Sequence, residues 1–368
     1  MSGARAIARA QVLGFRISSL QLDREAGRIA DTAVLDIGVQ DTGPDGGLWA
    51  LAVRGVEVSK LSGDELATVW TIRGAPHLYR RDDLPGVAAA VEPFSEADAR
   101  KRIFDAAKPL KAAGIGNVAA LDAVATAMRS VVTKPMVKGE VSRKLTALMD
   151  APYLRFCRPC DATHLYEMPF RLAALRAGLE LEAGTSPPVL RRIPGLKRAA
   201  TSPERHDVIR AYLRLLGPAT PKHVAAYLDA PVKDVKARWP SDTVEVSVDG
   251  ETRWILLTDV DALSAGRAKG TRLLGPFDLF LQARDRSLLV DDPGRVKALW
   301  PVLGRPGAVL SDGEIAGVWR PRQTGTRLKV QVELWAKASS ARRSALADQA
   351  EQLAAYRQVQ LCAVDYKH

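Results

Sequence analysis

The feature that most constrains this chain is a repeated order of elements, in which helical segments precede two β-like runs joined by a turn. Its clearest copy lies between residues 203 and 257. Thr220 and Pro221 are typical of a helix N-cap followed by a first helical residue. Asp249-Gly250 is a type I′ turn signal between two runs of strand-like composition. This order predicts a helix-turn-helix followed by a β-hairpin, or wing.

The same order occurs twice before. In the second copy, helical patterns over 117–132 and 138–149 precede two β-like runs around a turn at 159–162. In the first copy, helical patterns at 4–30, 31–41 and 48–56 precede two strand-like runs around a turn at 74–76. The N-terminal two thirds of the chain therefore predict three winged helices in tandem.

The composition changes after residue 268. Strand-like runs (LFLQA, SLLV, AVLS, GVWRP, RLKVQVELW) alternate with Asp-Gly and Pro-Gly turns up to residue 335, and a helical pattern covers 339–360. We predict an α+β fold of tandem winged-helix modules with a C-terminal small antiparallel β-domain or barrel. The predicted domains are winged helix 1 with a catalytic motif (1–95), winged helix 2 and a basic linker (96–200), winged helix 3 (201–265), and a barrel-like domain with a closing helix (266–368).

The chain of 368 residues is basic, with 53 Lys and Arg against 42 Asp and Glu, a net charge of +11 and a pI near 9.7. Such a surplus favours polyanion partners, because neutralised phosphates release counterions; the alternative is a solvated basic surface with no such role. Only three cysteines occur, and neither a signal peptide nor an apolar run of membrane-spanning length is visible. We therefore expect a cytoplasmic, nucleoid-associated protein without a membrane partner.

Basic side chains fall on the predicted recognition helices and wings, where they would contact phosphates without reading sequence. With two arginines of the β-domain, the predicted DNA contacts are Lys138, Arg143, Lys144, Arg155, Arg158, Lys233, Lys236, Arg238, Arg284 and Arg286. Winged helices also serve as protein-interaction modules, and this alternative predicts no salt dependence of DNA binding.

Several segments in order along the chain resemble the tandem winged-helix DNA glycosylases of the AlkZ and YcaQ type, which act on alkylated and crosslinked DNA. The segments are GVQDTGPDGGLWALAVRG (38–55), VWTIRGAPHLY (69–79), GEVSRKLT (139–146), YLRLLGPATPKHVAAYL (212–228), LLGPFDLFLQARDR (273–286) and GEIAGVWRPRQTGTRLKVQVELW (313–335). The resemblance implies three winged helices and a β-barrel around duplex DNA.

The resemblance also implies a catalytic Gln-x-Gln or Gln-x-Asp motif. Gln40 falls on its second position, and Gly38 replaces the first glutamine. Our hypothesis is that Gln40 positions the attacking water, with Asp36 or Asp41 as its partner, because Asp36 would share a helical face with Gln40. The alternative is that Gln40 and Asp41 merely end a helix. His77 is a further candidate for DNA contact, or else a satisfied polar group beside a turn.

Other chemistries receive less support. Cys157 and Cys160 form CRPC, with His164 four residues later, but no fourth ligand lies nearby in sequence, so we predict no metal. The sequence contains no phosphate loop and no dinucleotide fingerprint, and we expect no cofactor and no nucleotide partner.

We therefore predict a monomeric, monofunctional DNA glycosylase that hydrolyses the N-glycosidic bond of N7- or N3-alkylated purines in double-stranded DNA, in base excision or crosslink repair. One rival is a non-catalytic winged-helix DNA-binding protein, or regulator, that has lost the motif. The other is a protein-interaction module.

Overall fold

The structure, a computed structural model, describes residues 5–43, 45–264, 266 and 268–367. None of the helices in these ranges is long and apolar enough to cross a membrane. The α-helices are, in chain order, α1 (Arg9–Ser19), α2 (Gly46–Ala52), α3 (Leu84–Ala90), α4 (Glu96–Ile103), α5 (Ala107–Ala112), α6 (Asn117–Val131), α7 (Lys138–Leu148), α8 (Glu167–Arg176), α9 (Val208–Leu216), α10 (Pro221–Leu228), α11 (Val232–Ala237), α12 (Arg286–Leu289), α13 (Pro293–Leu299) and α14 (Ser340–Tyr356).

The strands alternate with these helices along the chain. They are β1 (Arg5–Ile7), β2 (Val39–Gln40), β3 (Leu66–Trp70), β4 (Pro76–Arg80), β5 (Met136–Val137), β6 (Leu154–Cys157), β7 (Ala162–Leu165), β8 (Leu179–Leu181), β9 (Val189–Arg192), β10 (Thr243–Val248), β11 (Glu251–Leu256), β12 (Thr271–Leu274), β13 (Gly307–Ser311), β14 (Glu314–Thr324), β15 (Arg327–Leu334) and β16 (Gln360–Lys367).

The described residues divide into two compact units. The first unit contains those of Met1–Ser62, Arg210–His223 and Pro240–His368. It holds a three-stranded sheet in the order β1-β10-β11 and a five-stranded sheet in the order β12-β13-β14-β15-β16. The second sheet is antiparallel except for the parallel pair β15–β16, and α14 packs against β12 and β16.

The second unit contains Gly63–Ile209 and Val224–Trp239. Its sheet has the strand order β4-β3-β8-β9-β5, and β6 and β7 form a separate hairpin. The core of the unit is formed by apolar side chains of α6, α7 and α8, among them Leu121, Val124, Leu145 and Phe170. Trp70 lies in this core and Trp49 is fully buried in the first unit, so both tryptophans are core residues.

The helix-turn-helix elements predicted from local signals are present. Helices α10 and α11 follow α9, and the Thr220 side chain accepts a hydrogen bond from the His223 amide (3.2 Å), with Pro221 as the first helical residue. Asp249 and Gly250 have φ values of 50° and 78°, the conformation that a two-residue type I′ turn needs. The predicted hairpin β10–β11 and its turn are therefore confirmed.

Helices α6 and α7 and the hairpin β6–β7 also match the second predicted copy. The predicted segment boundaries near residues 95, 200 and 265 stay predictions.

Three predicted elements were wrong. Residues 31–41 form short 3₁₀ turns and strand β2 instead of a helix. LFLQ (279–282) is a 3₁₀ turn, because the Asp278 carboxylate accepts a hydrogen bond from the Phe280 amide (3.0 Å) and caps it. SLLV falls on α12. The chain also ends in β16, which the helical pattern over 339–360 did not predict.

The five-stranded sheet lies within the predicted C-terminal β-domain. Its strand order ends at β12 and β16, so the described strands form an open sheet and not a closed barrel. The small β-domain is thus present, with a mixed sheet in place of the purely antiparallel one.

Candidate active site and nucleic-acid interface

Gln40 lies in the first unit, shortly after a 3₁₀ turn and a glycine with positive φ. A 3₁₀ turn (Ala33–Asp36) leads to Gly38, whose φ of 90° lies in the region that favours glycine. The chain then extends as β2, which carries Gln40 as a half-buried side chain. The sharp change of direction at Gly38 therefore sets where Gln40 points.

The side-chain amide of Gln40 is held on both of its ends. Its Oε1 accepts a hydrogen bond from Gln282 Nε2 (3.0 Å), and its Nε2 donates to Thr42 Oγ1 (3.1 Å). Gln282 is buried and also donates to the Phe277 carbonyl (3.3 Å). The partner of Gln40 is therefore an amide from the β-domain, 242 residues further along the chain.

The two carboxylates predicted to assist Gln40 have structural roles. Asp36 is not on a helical face with Gln40, and it forms an ion pair with Arg214 (2.9 Å). Asp41 accepts a hydrogen bond from the Gly47 amide (2.8 Å) at the start of α2. The shared-face argument for Asp36 was therefore wrong, and Asp41 serves the N-terminus of a helix.

A pocket of about 240 Å³ opens beside Gln40 within the first unit. This volume is well above the minimum that one water molecule needs, so the pocket can admit a small organic group. Its lining includes Gln40, Thr42, Phe277, Arg305, Arg320 and Arg322. The pocket thus combines an amide, an aromatic ring and several cations.

Two carboxylates also line this pocket, and each is bound by an arginine. Asp45 accepts two hydrogen bonds from Arg357, both of 2.6 Å. Asp278 forms a fully buried, bidentate ion pair with Arg54 (2.7 and 3.0 Å). Such pairs are typical of fixed architecture, so these two groups hold the walls of the pocket in place.

The predicted phosphate contacts of the β-domain belong to an arginine cluster. Burial lowers the pKa of Arg305, and the neighbouring charge of Arg284 lowers it further. Burial and the charges of Arg284 and Arg305 likewise lower the pKa of Arg286. Among the described residues the buried Nε of Arg284 has no hydrogen-bond partner. Repelling, partly desolvated guanidinium groups are typical of an anion-binding surface.

The predicted contacts of the second copy lie on α7 and on the adjoining hairpin. Arg143 and Lys144 are exposed on α7, and Lys144 pairs with Glu140 one turn away (3.0 Å). Lys138 is half-buried and binds Glu167 (2.7 Å). Because α7 packs against β7, these side chains and the hairpin belong to one contiguous structure.

The hairpin and α11 carry the remaining predicted contacts of the second unit. Arg158 is exposed, and Arg155 forms an ion pair with Asp105 (2.8 Å). On and beside α11, Lys233, Lys236 and Arg238 are exposed, and Arg238 also stacks over the Phe94 ring (4.9 Å). Exposed cations on a helix-turn-helix are suited to phosphate contact.

His77 is placed differently. It is buried inside the second unit, where its Nδ1 donates to the Ala75 carbonyl (2.9 Å) and lies 3.0 Å from Thr71 Oγ1. Burial, together with the charge of Arg73, lowers the pKa of His77 to about 3, so the ring is neutral near pH 7. The structure therefore does not support His77 as a DNA contact, and the satisfied polar group is the correct description.

Sequence reasoning missed Gln282, Asp45 and Arg305. Gln282 lies within LFLQARDR, a segment in which only Arg284 and Arg286 were predicted as site residues. Nothing local to residue 40 indicates that an amide 242 residues away is its partner. The signal that was available is the position of a glutamine directly before the two arginines of that segment.

The architecture is that of a mixed α/β protein, with exposed cations and a pocket whose lining includes the amide of Gln40. A family model described as "DNA glycosylase AlkZ-like" matches residues 47–356, and the chain belongs to this family. Its class is accordingly that of the DNA glycosylases, enzymes of DNA repair that hydrolyse N-glycosyl bonds. The matched range begins after Gly38 and Gln40 and includes Gln282.

Among solved structures, the chain is similar to that of the Streptomyces sahachiroi DNA glycosylase AlkZ. The TM-score is 0.73, the sequence identity is 20%, and the match covers 98% of this chain and 100% of that one. At this identity the likeness concerns the fold. A search of curated proteins returned no match.

Proposed function

We propose that this glycosylase releases N7- or N3-alkylated purines from duplex DNA, with Gln40 positioning the attacking water. The observation that carries this proposal is the amide of Gln40, held by Gln282 and Thr42 in the lining of a pocket of about 240 Å³. Gly38 leaves no side chain at the first position of the implied motif, and Gln282 supplies a second amide in its place.

The chemistry suits amides rather than strong acids. An alkylated purine is already cationic, so it leaves without being protonated. The enzyme must hold a water near the anomeric carbon and tolerate an oxocarbenium-like transition state, and positioning provides much of the rate. A neutral glutamine adds no positive charge beside that developing cation.

Gln40 retains hydrogen-bonding capacity for a water. A primary amide offers two N–H donors and two lone pairs on oxygen. One donor goes to Thr42 and one lone pair accepts from Gln282. The remaining N–H and lone pair can orient a water between them, and Gln282 acts as a positioning residue for Gln40.

Duplex DNA would be bound through phosphate contacts on the basic surfaces. In the second unit, α6, α7 and the hairpin β6–β7 would act as one winged helix, with α7 facing the DNA. In the first unit, Arg284 and Arg286 would contact phosphates near the pocket. The helix-turn-helix of α10 and α11 would add the charges of Lys233, Lys236 and Arg238.

Release of N7-methylguanine from duplex DNA under single-turnover conditions tests the proposal. Gln40→Ala should lower the rate by about 100-fold or more, the range expected for losing a group that activates water. Gln282→Ala should lower the same rate while leaving DNA affinity near wild type, and as a buried, hydrogen-bonded side chain it should also lower the free energy of unfolding by about 1–3 kcal/mol. Gln360→Ala, an exposed glutamine on β16, is the matched control and should behave as wild type.

Two outcomes would count against this assignment. If Gln40→Ala keeps the wild-type rate, the water is positioned elsewhere. If the wild-type chain binds DNA but releases no alkylated purine from any duplex, the rival of a DNA-binding regulator without catalysis is favoured, and Gly38 would be its cause.

A further inference from the structure

The tip of the hairpin β6–β7 gathers three metal-ligating side chains in the second unit. The Sγ atoms of Cys157 and Cys160 and a ring nitrogen of His164 all lie within 4.8 Å of one another. All three come from one segment of eight residues, and both thiols are free. The sequence offered no fourth ligand near these residues, and the structure brings the three that it does offer together.

The hairpin register explains why they converge. Arg155 pairs with His164 and Cys157 pairs with Ala162 across the two strands. Residues 155 and 157 share one face of β6, so the side chain of His164 projects on the same face as Cys157, one diagonal step away. A 3₁₀ turn (Arg158–Cys160), closed by Asp161 in the left-handed region (φ 46°), then returns Cys160 toward the same point.

His164 is already oriented for ligation. Its Nδ1 lies 2.8 Å from the Leu165 carbonyl, which can only accept, so Nδ1 carries the proton and donates it. In that tautomer the lone pair lies on Nε2, the atom that would bind the metal. A backbone carbonyl that fixes the tautomer through the other ring nitrogen is the usual arrangement around ligating histidines.

The geometry is close to what a zinc ion needs. In a tetrahedral site with Zn–S bonds of about 2.3 Å, ligand atoms lie about 3.8 Å apart. The observed spacing of at most 4.8 Å must close by about 1 Å, and Cys160, the exposed member, can supply this by side-chain rotation. Two thiolates with an imidazole form a soft donor set that favours Zn²⁺ over hard cations such as Mg²⁺.

We propose that Cys157, Cys160 and His164 bind one Zn²⁺ ion, with solvent as the fourth ligand. On binding, each thiol loses its proton to solvent, and His164 donates its Nε2 lone pair. A two-stranded hairpin is only marginally stable alone, and Phe156 at this one is 60% exposed, so little apolar burial holds its tip. The ion would fix the tip that carries Arg158.

Cobalt titration of the untagged full-length protein tests the site directly. The protein is stripped with a chelator in the presence of a reductant and titrated with Co²⁺, followed by Zn²⁺. We expect thiolate-to-cobalt absorption and tetrahedral d–d bands that saturate at one equivalent and disappear when Zn²⁺ is added. The double variant Cys157→Ser/Cys160→Ser should lose these bands.

The third cysteine provides the matched control. Cys362 lies on β16 in the first unit, and Cys362→Ser should keep the full signal. Cys160→Ser and His164→Ala should each weaken zinc binding by at least about 100-fold, since disturbing even an outer-shell partner costs 10- to 100-fold. Zinc should also slow amide exchange within residues 154–165 of the wild type.

The proposal is overturned if the reduced wild-type protein gives no thiolate–cobalt absorption, or if the signal persists in the double variant. It is equally overturned if Cys157 and Cys160 prove to be a disulfide that resists reduction. None of these readouts depends on glycosylase activity, so the metal site can fail its test while the proposed function passes, and the reverse.

Discussion

Gly38 is the residue at which the chain departs from the implied Gln-x-Gln motif. Its backbone conformation bears on whether any side chain can be placed at this position. Its φ of 90° is strained for every residue except glycine. A glutamine could not be restored at this position without rebuilding the turn before β2. The amide that does lie beside Gln40 is that of Gln282, which donates a hydrogen bond to Gln40 Oε1.

Substitution of Gly38 tests this interpretation. Gly38→Ala and Gly38→Gln should each lower the free energy of unfolding by about 1–3 kcal/mol, because the new side chain must adopt a sparsely populated backbone conformation. Urea denaturation measures the loss. Gly63→Ala is the control, since a Cβ at Gly63 meets only open space and no positive φ is required there. Wild-type stability of Gly38→Gln would contradict the prediction.

His77 should make the stability of the protein depend on pH. Its pKa is lowered from 6.5 to about 3 in the folded state, so between these values only the unfolded chain binds the proton. Stability is therefore lost as the pH falls below about 6.5. From pH 7.5 to 5.5 the contribution of this residue is a loss of about 1.4 kcal/mol.

His77→Asn provides the comparison for this pH effect. Its side-chain amide can still donate to the Ala75 carbonyl, as Nδ1 does in the wild type. The difference in unfolding free energy between wild type and variant should shrink toward acidic pH. A difference that stays constant from pH 7.5 to 5.5 would show that the ring titrates normally.

At the level of elements, helix α7 is the one that we expect to face DNA. Its exposed Arg143 and Lys144 lie on a helix that packs against the hairpin β6–β7, and the helix begins at Lys138 without a side-chain cap. Replacing one phosphate contact reduces the slope of log K against log salt by about 0.9.

Arg143→Ala should therefore weaken binding to duplexes of unrelated sequence by similar factors and lower the salt slope by about 0.9. Fluorescence anisotropy at several salt concentrations measures both quantities. Lys111→Ala is the control, because Lys111 is an exposed cation on α5 of the same unit. An unchanged slope for Arg143→Ala would remove α7 from the interface.

The 3₁₀ turn at 279–282 shows why elements near the site were harder to predict. LFLQ is an apolar run of strand-like composition, yet the Asp278 carboxylate caps it at the Phe280 amide. The same carboxylate binds Arg54, which lies 224 residues earlier. A distant ion pair thus holds the residue that decides the local conformation, and propensity alone could not reveal it.

At the scale of the molecule, the first unit is held together by long-range buried ion pairs. Arg54 and Asp278 are both completely buried and connect α2 with the β-domain. Arg16 and Arg253 both bind Asp285, at 2.7 and 2.5 Å. Burial of these charges is tolerated because each is paired and hydrogen-bonded.

Breaking the Arg54–Asp278 pair should be strongly destabilising. Asp278→Ala leaves the guanidinium buried without its partner and should cost about 3–5 kcal/mol. Replacing both residues together, as in Arg54→Met/Asp278→Leu, should restore only part of that loss, because the Phe280 amide and the carbonyls bound by Arg54 also lose their partners. Chemical denaturation measures each variant, and Lys60→Ala, which breaks an exposed pair with Glu57, should change stability by less than about 1 kcal/mol. A small effect of Asp278→Ala would mean that solvent reaches the pair.

The sequence by itself determined the elements whose signals are local. Thr220 and Pro221 begin α10, and Asp249-Gly250 closes the hairpin β10–β11, because caps and two-residue turns depend on neighbours within a few positions. The excess of positive charge and the segments shared with the glycosylase family are likewise visible without coordinates.

Only the tertiary structure decided which residues lie beside the predicted site residues. It gave Gln40 the amide of Gln282 as partner, assigned Asp36 and Asp41 to structural contacts, and buried His77. These outcomes depend on how segments hundreds of residues apart pack against one another, and packing of this kind leaves no periodic trace in the sequence around any one of them.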